Sequence, residues 1–240
     1  MLDPPPPTKQ QIDKIICKLS PYKAPGSDGI PNIVLQKSYP IIADHLISIY
    51  RAILELGVFF NPWREFTMLI IRKPDKPNYI ILKAYQPIAL ISTMAKVLTA
   101  LVAENISQLV EQHQLLPRTH FRGRPGRTTA DAIHYLVHKI KHTWANNQVA
   151  SVLFLNVEGA FPNAVTNRLI HNLRKRRIPE IYITFITTLL TNRRTRLKFD
   201  DFTSGLIEIV NGIGQGDPLS MILYIIYNAD LLEITRDYHG

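Results

Sequence analysis

Four scarcities bound this sequence before any motif is considered. Its 240 residues hold one cysteine, Cys17, which excludes an intrachain disulfide and a cysteine-based zinc site and fits a reducing intracellular setting, in nucleus or cytoplasm. Apolar runs such as Met221–Tyr227 fall far short of the roughly 18 residues that a spanning helix needs, so no membrane segment is expected. The opening Met-Leu-Asp-Pro-Pro-Pro-Pro has neither a basic cap nor an apolar core, so no signal peptide is expected. Acid is also short: 19 Asp and Glu stand against 28 Lys and Arg, a formal charge of +9 that points to a polyanionic partner.

The bases are clustered. Nine of them (Arg168, Arg174, Lys175, Arg176, Arg177, Arg193, Arg194, Arg196 and Lys198) face one acid, Glu180, within residues 168–198. Arg118, Arg122, Arg124 and Arg127 form a second group. Clusters of this kind suit sequence-independent phosphate contacts, and solvated helix faces are the alternative. An apolar content of 46% is enough for a globular core.

Periodicity supplies the elements. Pro4–Pro7 reads as a stiff lead-in and Gln10–Leu19 as a short helix. Ile41–Leu56 has helical spacing closed by Gly57, and Phe66–Ile71 reads as a buried strand. Met94–Val110 is amphipathic at a period of 3.6. A helix from about Thr128, with Asp131 in its first turn, puts Ile133, Leu136, Val137, Ile140 and Trp144 on an expected core face. Ser151–Val157 reads as an apolar strand ending at Asn156-Val157-Glu158-Gly159. Helices are expected at Asn163–Arg176 and Pro179–Leu190, paired strands at Thr195–Phe199 and Leu206–Val210, and a buried helix at Pro218–Leu232. The fold class is α/β (α+β) with interleaved elements. His134, His138 and His142 have the i, i+4, i+8 spacing of a helical metal site or of a solvated stripe.

Six stretches carry a resemblance. They are Lys23-Ala-Pro-Gly-Ser-Asp-Gly-Ile-Pro31; Gly57-Val-Phe-Phe-Asn-Pro-Trp63 with Ile71-Arg-Lys-Pro-Asp-Lys-Pro77; Tyr85-Gln-Pro-Ile-Ala-Leu90 with Met94-Ala-Lys96; His120-Phe-Arg-Gly-Arg-Pro-Gly-Arg-Thr-Thr129; Leu155-Asn-Val-Glu-Gly-Ala-Phe161; and Gly212-Ile-Gly-Gln-Gly-Asp-Pro-Leu-Ser220. In this order and spacing the chain, over residues of roughly 20–240, resembles the reverse transcriptases of non-LTR (LINE-like) retrotransposons, particularly a fungal type. The resemblance implies a right-hand polymerase: a lead-in at 1–20, a fingers-like region at 21–149 and an incomplete palm at 150–240, with the thumb absent.

It also implies a chemistry. The family makes DNA on an RNA template and DNA primer, using two Mg²⁺ ions held by clustered carboxylates. One family Asp sits where this chain has Asn156, and the family's Asp-Asp hairpin is expected to lie beyond Gly240. Unit charges 4 Å apart interact by about 4 kcal/mol at an effective dielectric of 20, and each Mg²⁺ doubles that, so an amide is no substitute. The expectation is therefore a reverse transcriptase portion that does not bind magnesium and is inactive, or a non-catalytic nucleic-acid-binding protein on the same scaffold. A structural domain with incidental motif matches is the remaining reading.

The other roles follow from the resemblance residue by residue. Val157 would offer its backbone carbonyl to the metal. Glu158 would share a strand face with Asn156 about 7 Å further along. Phe161 matches the steric gate against ribonucleotides, with a core phenylalanine as the alternative. Gln215, flanked by Gly214 and Gly216, matches the nucleotide contact. Lys73 lies in the segment that touches the triphosphate, or is a surface lysine. Gln86 replaces the usual Arg, losing a bidentate phosphate grip. Arg122 replaces a glycine, at a cost of about 1 kcal/mol if φ is positive there. Asp28 reads as a turn former. Lys23, Arg124, Arg127, Arg174, Lys175, Arg176, Arg177, Arg193 and Arg194 are the expected nucleic-acid contacts. Exposed apolar faces on the 151–157 strand and the 218–232 helix predict poor solubility.

Overall fold

The computed structural model describes residues 6–233, so Pro4 and Pro5 of the expected lead-in lie outside the described residues. The chain forms helices α1 (Lys9–Lys18), α2 (Asn32–Leu56), α3 (Thr93–Gln112), α4 (Thr129–Ala145), α5 (Thr166–Lys175), α6 (Glu180–Leu190) and α7 (Pro218–Glu233). The strands are β1 (Glu65–Arg72), β2 (Tyr85–Leu90), β3 (Arg193–Phe199), β4 (Phe202–Thr203) and β5 (Ile207–Ile209). This mixed architecture agrees with the α/β (α+β) expectation.

Local chemistry explains the boundaries. Thr8 and Gln11 form a reciprocal capping box that starts α1, and Thr128 with Asp131 does the same for α4. Gly57, at φ +62, closes α2 by donating its N–H to Ile53 and Leu54 carbonyls. α2 begins nine residues before the expected Ile41 and runs through Pro40. The proline removes one helical donor, but Leu35, Tyr39, Ala43 and Leu46 are buried along the helix on both sides of it. Gln36 also donates to the Ile16 and Leu19 carbonyls at 3.0 and 2.9 Å, which pins the early turns of α2 to the end of α1.

One main core joins α1, α2, α3, α5, α6 and α7. Leu98, Leu101, Val102 and Ile106 of α3 are fully buried in it, each contributing about 1.5–3 kcal/mol. Several of its polar atoms are paired: Tyr50 Oη donates to the Met94 carbonyl at 2.8 Å, and Asn105 bridges Gln11 and Tyr182 at 2.9 and 3.0 Å. α7 is covered along Leu219, Ile222, Leu223, Ile225 and Ile226, so the exposed face expected on it is reduced to Met221 and Leu231.

The sheet is mixed. β1 pairs antiparallel with β2 and parallel with β3, while β4 and β5 pair antiparallel with β3. β2 escaped the periodicity reading because Pro87 interrupts it, and its place at the sheet edge tolerates that proline. Phe66, Ala89 and Ile91 form a small core beneath the sheet, yet most of β1 is only half-buried rather than buried as expected.

Two further expectations fail. Residues 149–157 pair with no strand among the described residues, and Leu153, Phe154 and Leu155 are 79%, 82% and 71% exposed. Strand propensity there meets no ladder partner, and without one an extended segment is not a strand. α4 forms where expected but buries no residue; Ile133 and Trp144 are 58% and 63% exposed. Its stripe is real as a pattern, but no other element among the described residues buries it.

Candidate nucleotide and nucleic-acid site

Three segments are stitched together by backbone bonds. The turn carrying Phe161 is closed by the Asn163 N–H on the Gly159 carbonyl at 2.9 Å, with Gly159 at φ +60. Against it lies the 211–217 loop, whose Gly212 N–H donates to Ala164 at 2.8 Å and Ile213 N–H to Phe161 at 2.9 Å. Gly212 has φ +89, and a Cβ there would stand 2.6 Å from the Pro162 carbonyl oxygen, so only glycine fits. The far side of the loop meets β2, where the Ala89 N–H donates to the Gln215 carbonyl at 2.9 Å. Phe161, Gln215 and Gly216 are thereby brought together.

The Phe161 ring packs 5.1 Å from that of Tyr224 and is partly buried against the main core, as the core alternative requires. Asn156 and Val157 lie at the exposed end of the unpaired segment just before this turn. Glu158 does not join them; its carboxylate pairs with Lys83 at 2.9 Å. The Lys73 ammonium donates to the Lys83 carbonyl at 3.0 Å, inside the connection between β1 and β2. Gln86 pairs in register with Ile71 and so lies on the sheet face opposite Ala89. No described hydrogen bond or ion pair links Lys73 or Gln86 to Phe161, Gln215 or Gly216.

Behind the loop lies a polar cluster that sequence reasoning missed. Asp217 accepts the Leu219 N–H at 2.9 Å, capping α7, and Pro218 follows it at the first helical position. Burial pushes the Asp217 carboxyl up, against the Leu219 and Thr99 hydrogen bonds and the charges of Arg193 and Lys96. Burial likewise brings Arg193 down to about 10, with Asp217 opposing, and lowers Lys96 against Asp28 and Asp217. A cavity of about 30 Å³ beside Thr99, Arg193 and Asp217 has room for about one water. The signal was present in the sequence: Asp followed by Pro is a helix-start pair.

The expected basic contacts divide sharply. Arg124 is buried: it grips Glu111 at 2.6 and 2.7 Å and caps the Pro117 and His120 carbonyls at 2.9 and 3.3 Å. Arg176 is buried against Asp230 and Glu233 at 2.8 and 2.9 Å and holds the Leu115 carbonyl at 2.7 Å. Arg193 is buried and donates to the Gly212 carbonyl at 2.7 Å, propping the loop. These three are internal struts rather than phosphate contacts, a correction that burial imposes. Arg127 also serves the protein, donating to the Arg118 and His120 carbonyls beside the Phe121 ring. Arg174 pairs with Glu180 and Arg194 with Glu65 at the surface, and exposed Lys175 reaches the largely buried Asp230. Lys23 and Arg177 are exposed.

Electrostatics follow these pairings. Hydrogen bonds from Arg124 hold Glu111 below its ordinary value, against burial. Burial would raise Asp230, but Lys175 and Arg176 outweigh it and hold it down. Burial and the Arg124 charge lower His120. Arg122 is absent from the positive-φ residues, so the expected strain does not arise. Asp28 accepts the Ile30 N–H at 3.1 Å and forms the anticipated turn. His142 bonds to Asn146 at 3.2 Å, and no group of three His, Cys, Asp or Glu suited to a metal occurs among the described residues. The donors that Asn156 and the two residues after it offer are an amide, a backbone carbonyl and a glutamate that pairs with Lys83. That set does not fit a pair of magnesium ions.

A family model described as reverse transcriptase (RNA-dependent DNA polymerase) matches residues 71–239, more than half of the chain. Similar proteins include the probable RNA-directed DNA polymerases from transposon BS and from transposon X-element of Drosophila melanogaster. They are 29% and 27% identical over 92% and 96% of this chain, and 24% and 25% of their own lengths. The RNA-directed DNA polymerase from mobile element jockey of the same species is 23% identical over 93% of the chain and 24% of its own length. The chain spans about a quarter of the relatives it matches. No helix among the described residues is long and apolar enough to cross a membrane.

Proposed function

This chain belongs to the reverse transcriptase (RNA-dependent DNA polymerase) family, and we propose that it is a fingers-and-palm portion of a retroelement polymerase that engages RNA template and DNA primer without extending the primer. In this reading residues 21–149 serve as fingers and residues 150–240 as part of the palm. The narrower attribution to a fungal element belongs to the same proposal.

The observation that carries the loss of extension is Asn156. An uncharged amide stands at the position where the resemblance implies a metal-binding carboxylate, and Glu158, two residues along the chain, turns its carboxylate to Lys83 at 2.9 Å. The family is generally magnesium-dependent, and these donors do not supply the charge that a pair of magnesium ions needs. What the chain's own residues supply is shape. Arg193 and Asp217 hold the 211–217 loop from behind, Gly212 lets it lie against the Phe161 turn, and the Gln215 side chain is left to meet a nucleotide. Phe161 would then border the sugar from its packed position on Tyr224.

Primer extension on an RNA template with Mg²⁺ tests the reading. The chain is expected to give no product. A chimera carrying Asn156→Asp, joined to the segment that follows the matching region in the transposon BS relative, is expected to give some. Extension by the unaltered chain would defeat the proposal.

A further inference from the structure

The outer face of the sheet carries cations that the protein itself does not use. In register, Glu65 stands opposite Arg194, Thr67 opposite Arg196 and Leu69 opposite Lys198. These positions share the face away from Phe66 and Ala89. Arg194 is committed to Glu65, with Glu208 across from it on β5. Arg196 and Lys198 are exposed and make no ion pair among the described residues. Same-face neighbours on a strand repeat at about 7 Å, comparable with the spacing of successive phosphates along one strand of nucleic acid. β3 is flanked on both sides by paired strands, so the array is rigid.

A groove of about 520 Å³ runs beside the array, lined by Ser27, Asn61, Thr67, Arg194, Arg196 and Leu206. Ser27 is fixed there by its hydroxyl, which donates to the Glu65 carbonyl at 3.0 Å. Phe66, the one ring at the wall, is buried, and Phe199 and Tyr85 meet edge to face elsewhere. Glu65 also lines the groove, but its carboxylate is taken by Arg194, so what remains for a ligand is the Arg196 guanidinium and the Ser27 and Thr67 hydroxyls, with no platform on which bases could stack.

We propose that the outer face of β3, through Arg196 and Lys198, is a track for the phosphate backbone of a single nucleic-acid strand, read without regard to base. This rests on the polymerase reading above and goes beyond it by naming the face and the two residues.

The test is fluorescence anisotropy of the full chain with a labelled oligo(dT) of about twenty nucleotides, titrated across salt concentration. Two variants are compared: Arg196→Gln with Lys198→Gln, and a charge-matched control on α4, Lys139→Gln with Lys141→Gln. Each lost contact to a single strand lowers the salt slope by about 0.7, so the β3 variant is expected to lose about 1.4, weakening binding about 25-fold at 0.1 M salt. The control is expected to keep the slope of the unaltered chain. Should the double variant unfold, the single variants replace it, each expected to remove about half of the effect. Equal weakening of both variants, or an unchanged slope in the β3 variant, overturns the track and leaves the polymerase reading standing. No binding by the unaltered chain overturns the nucleic-acid reading itself, and this proposal with it.

Discussion

Replacing Arg124 by methionine removes a guanidinium that is buried and holds three groups at once through four hydrogen bonds. Methionine keeps much of the apolar stem, so the loss is mainly electrostatic. Breaking a buried ion pair costs about 3–5 kcal/mol, and the Glu111 side chain is 30% exposed, which places this pair at the low end. Two carbonyls, of Pro117 and His120, also lose a donor, and about 3 kcal/mol in total is expected. Urea denaturation followed by far-UV circular dichroism reads this as a midpoint lowered by about 1.5 M, taking a slope of about 2 kcal/mol per molar. The acid side supplies a second signature. Glu111 sits below its ordinary value in the fold, so its contribution is present above the unfolded value and is lost as pH falls through the folded one. The variant should show a flatter acid limb. If the variant kept its midpoint within about 0.25 M and lost a unit of salt slope in oligonucleotide binding, Arg124 would be a phosphate contact and the strut assignment wrong.

Two further perturbations probe other features. Asp217→Asn should raise stability at neutral pH, because a carboxyl raised by burial stabilises the fold when protonated and loses that contribution as pH rises through its folded value; thermal unfolding at pH 4 and 7 should show the gain only at the higher pH, and a loss at pH 7 would mean that the Arg193 attraction dominates. Leu153→Lys with Leu155→Lys should increase the soluble, monomeric fraction in sedimentation, since the 150–157 segment is uncharged, β-prone and unpaired; unchanged self-association would locate the sticky surface elsewhere, with the α4 stripe the next to test.

Most helices were legible because their signals are local: Gly57 as a stop, the Thr128 and Asp131 start, and the 3.6-residue spacing of α3. What a stripe packs against is not local. The apolar faces of α3 and α4 follow similar rules, yet one is buried and the other stands in solvent. Residues 151–157 fail for the same reason, because strand propensity cannot supply a ladder partner. Among the cations, composition counts charge without direction, so buried Arg124, Arg176 and Arg193 looked like exposed Arg196 and Lys198. In the site, the Gly212–Ser220 motif located the loop, whereas the Asp217–Arg193 support behind it depends on residues from separate elements.

The claim on which the rest depends is that the surroundings of Asn156 cannot hold paired divalent ions. Mn²⁺ titration read by electron paramagnetic resonance, with primer, template and deoxynucleotide present, measures this directly. The expected result is binding no greater than that of the nucleotide and nucleic acid alone. Two tightly bound, mutually coupled Mn²⁺ ions per chain would contradict the account.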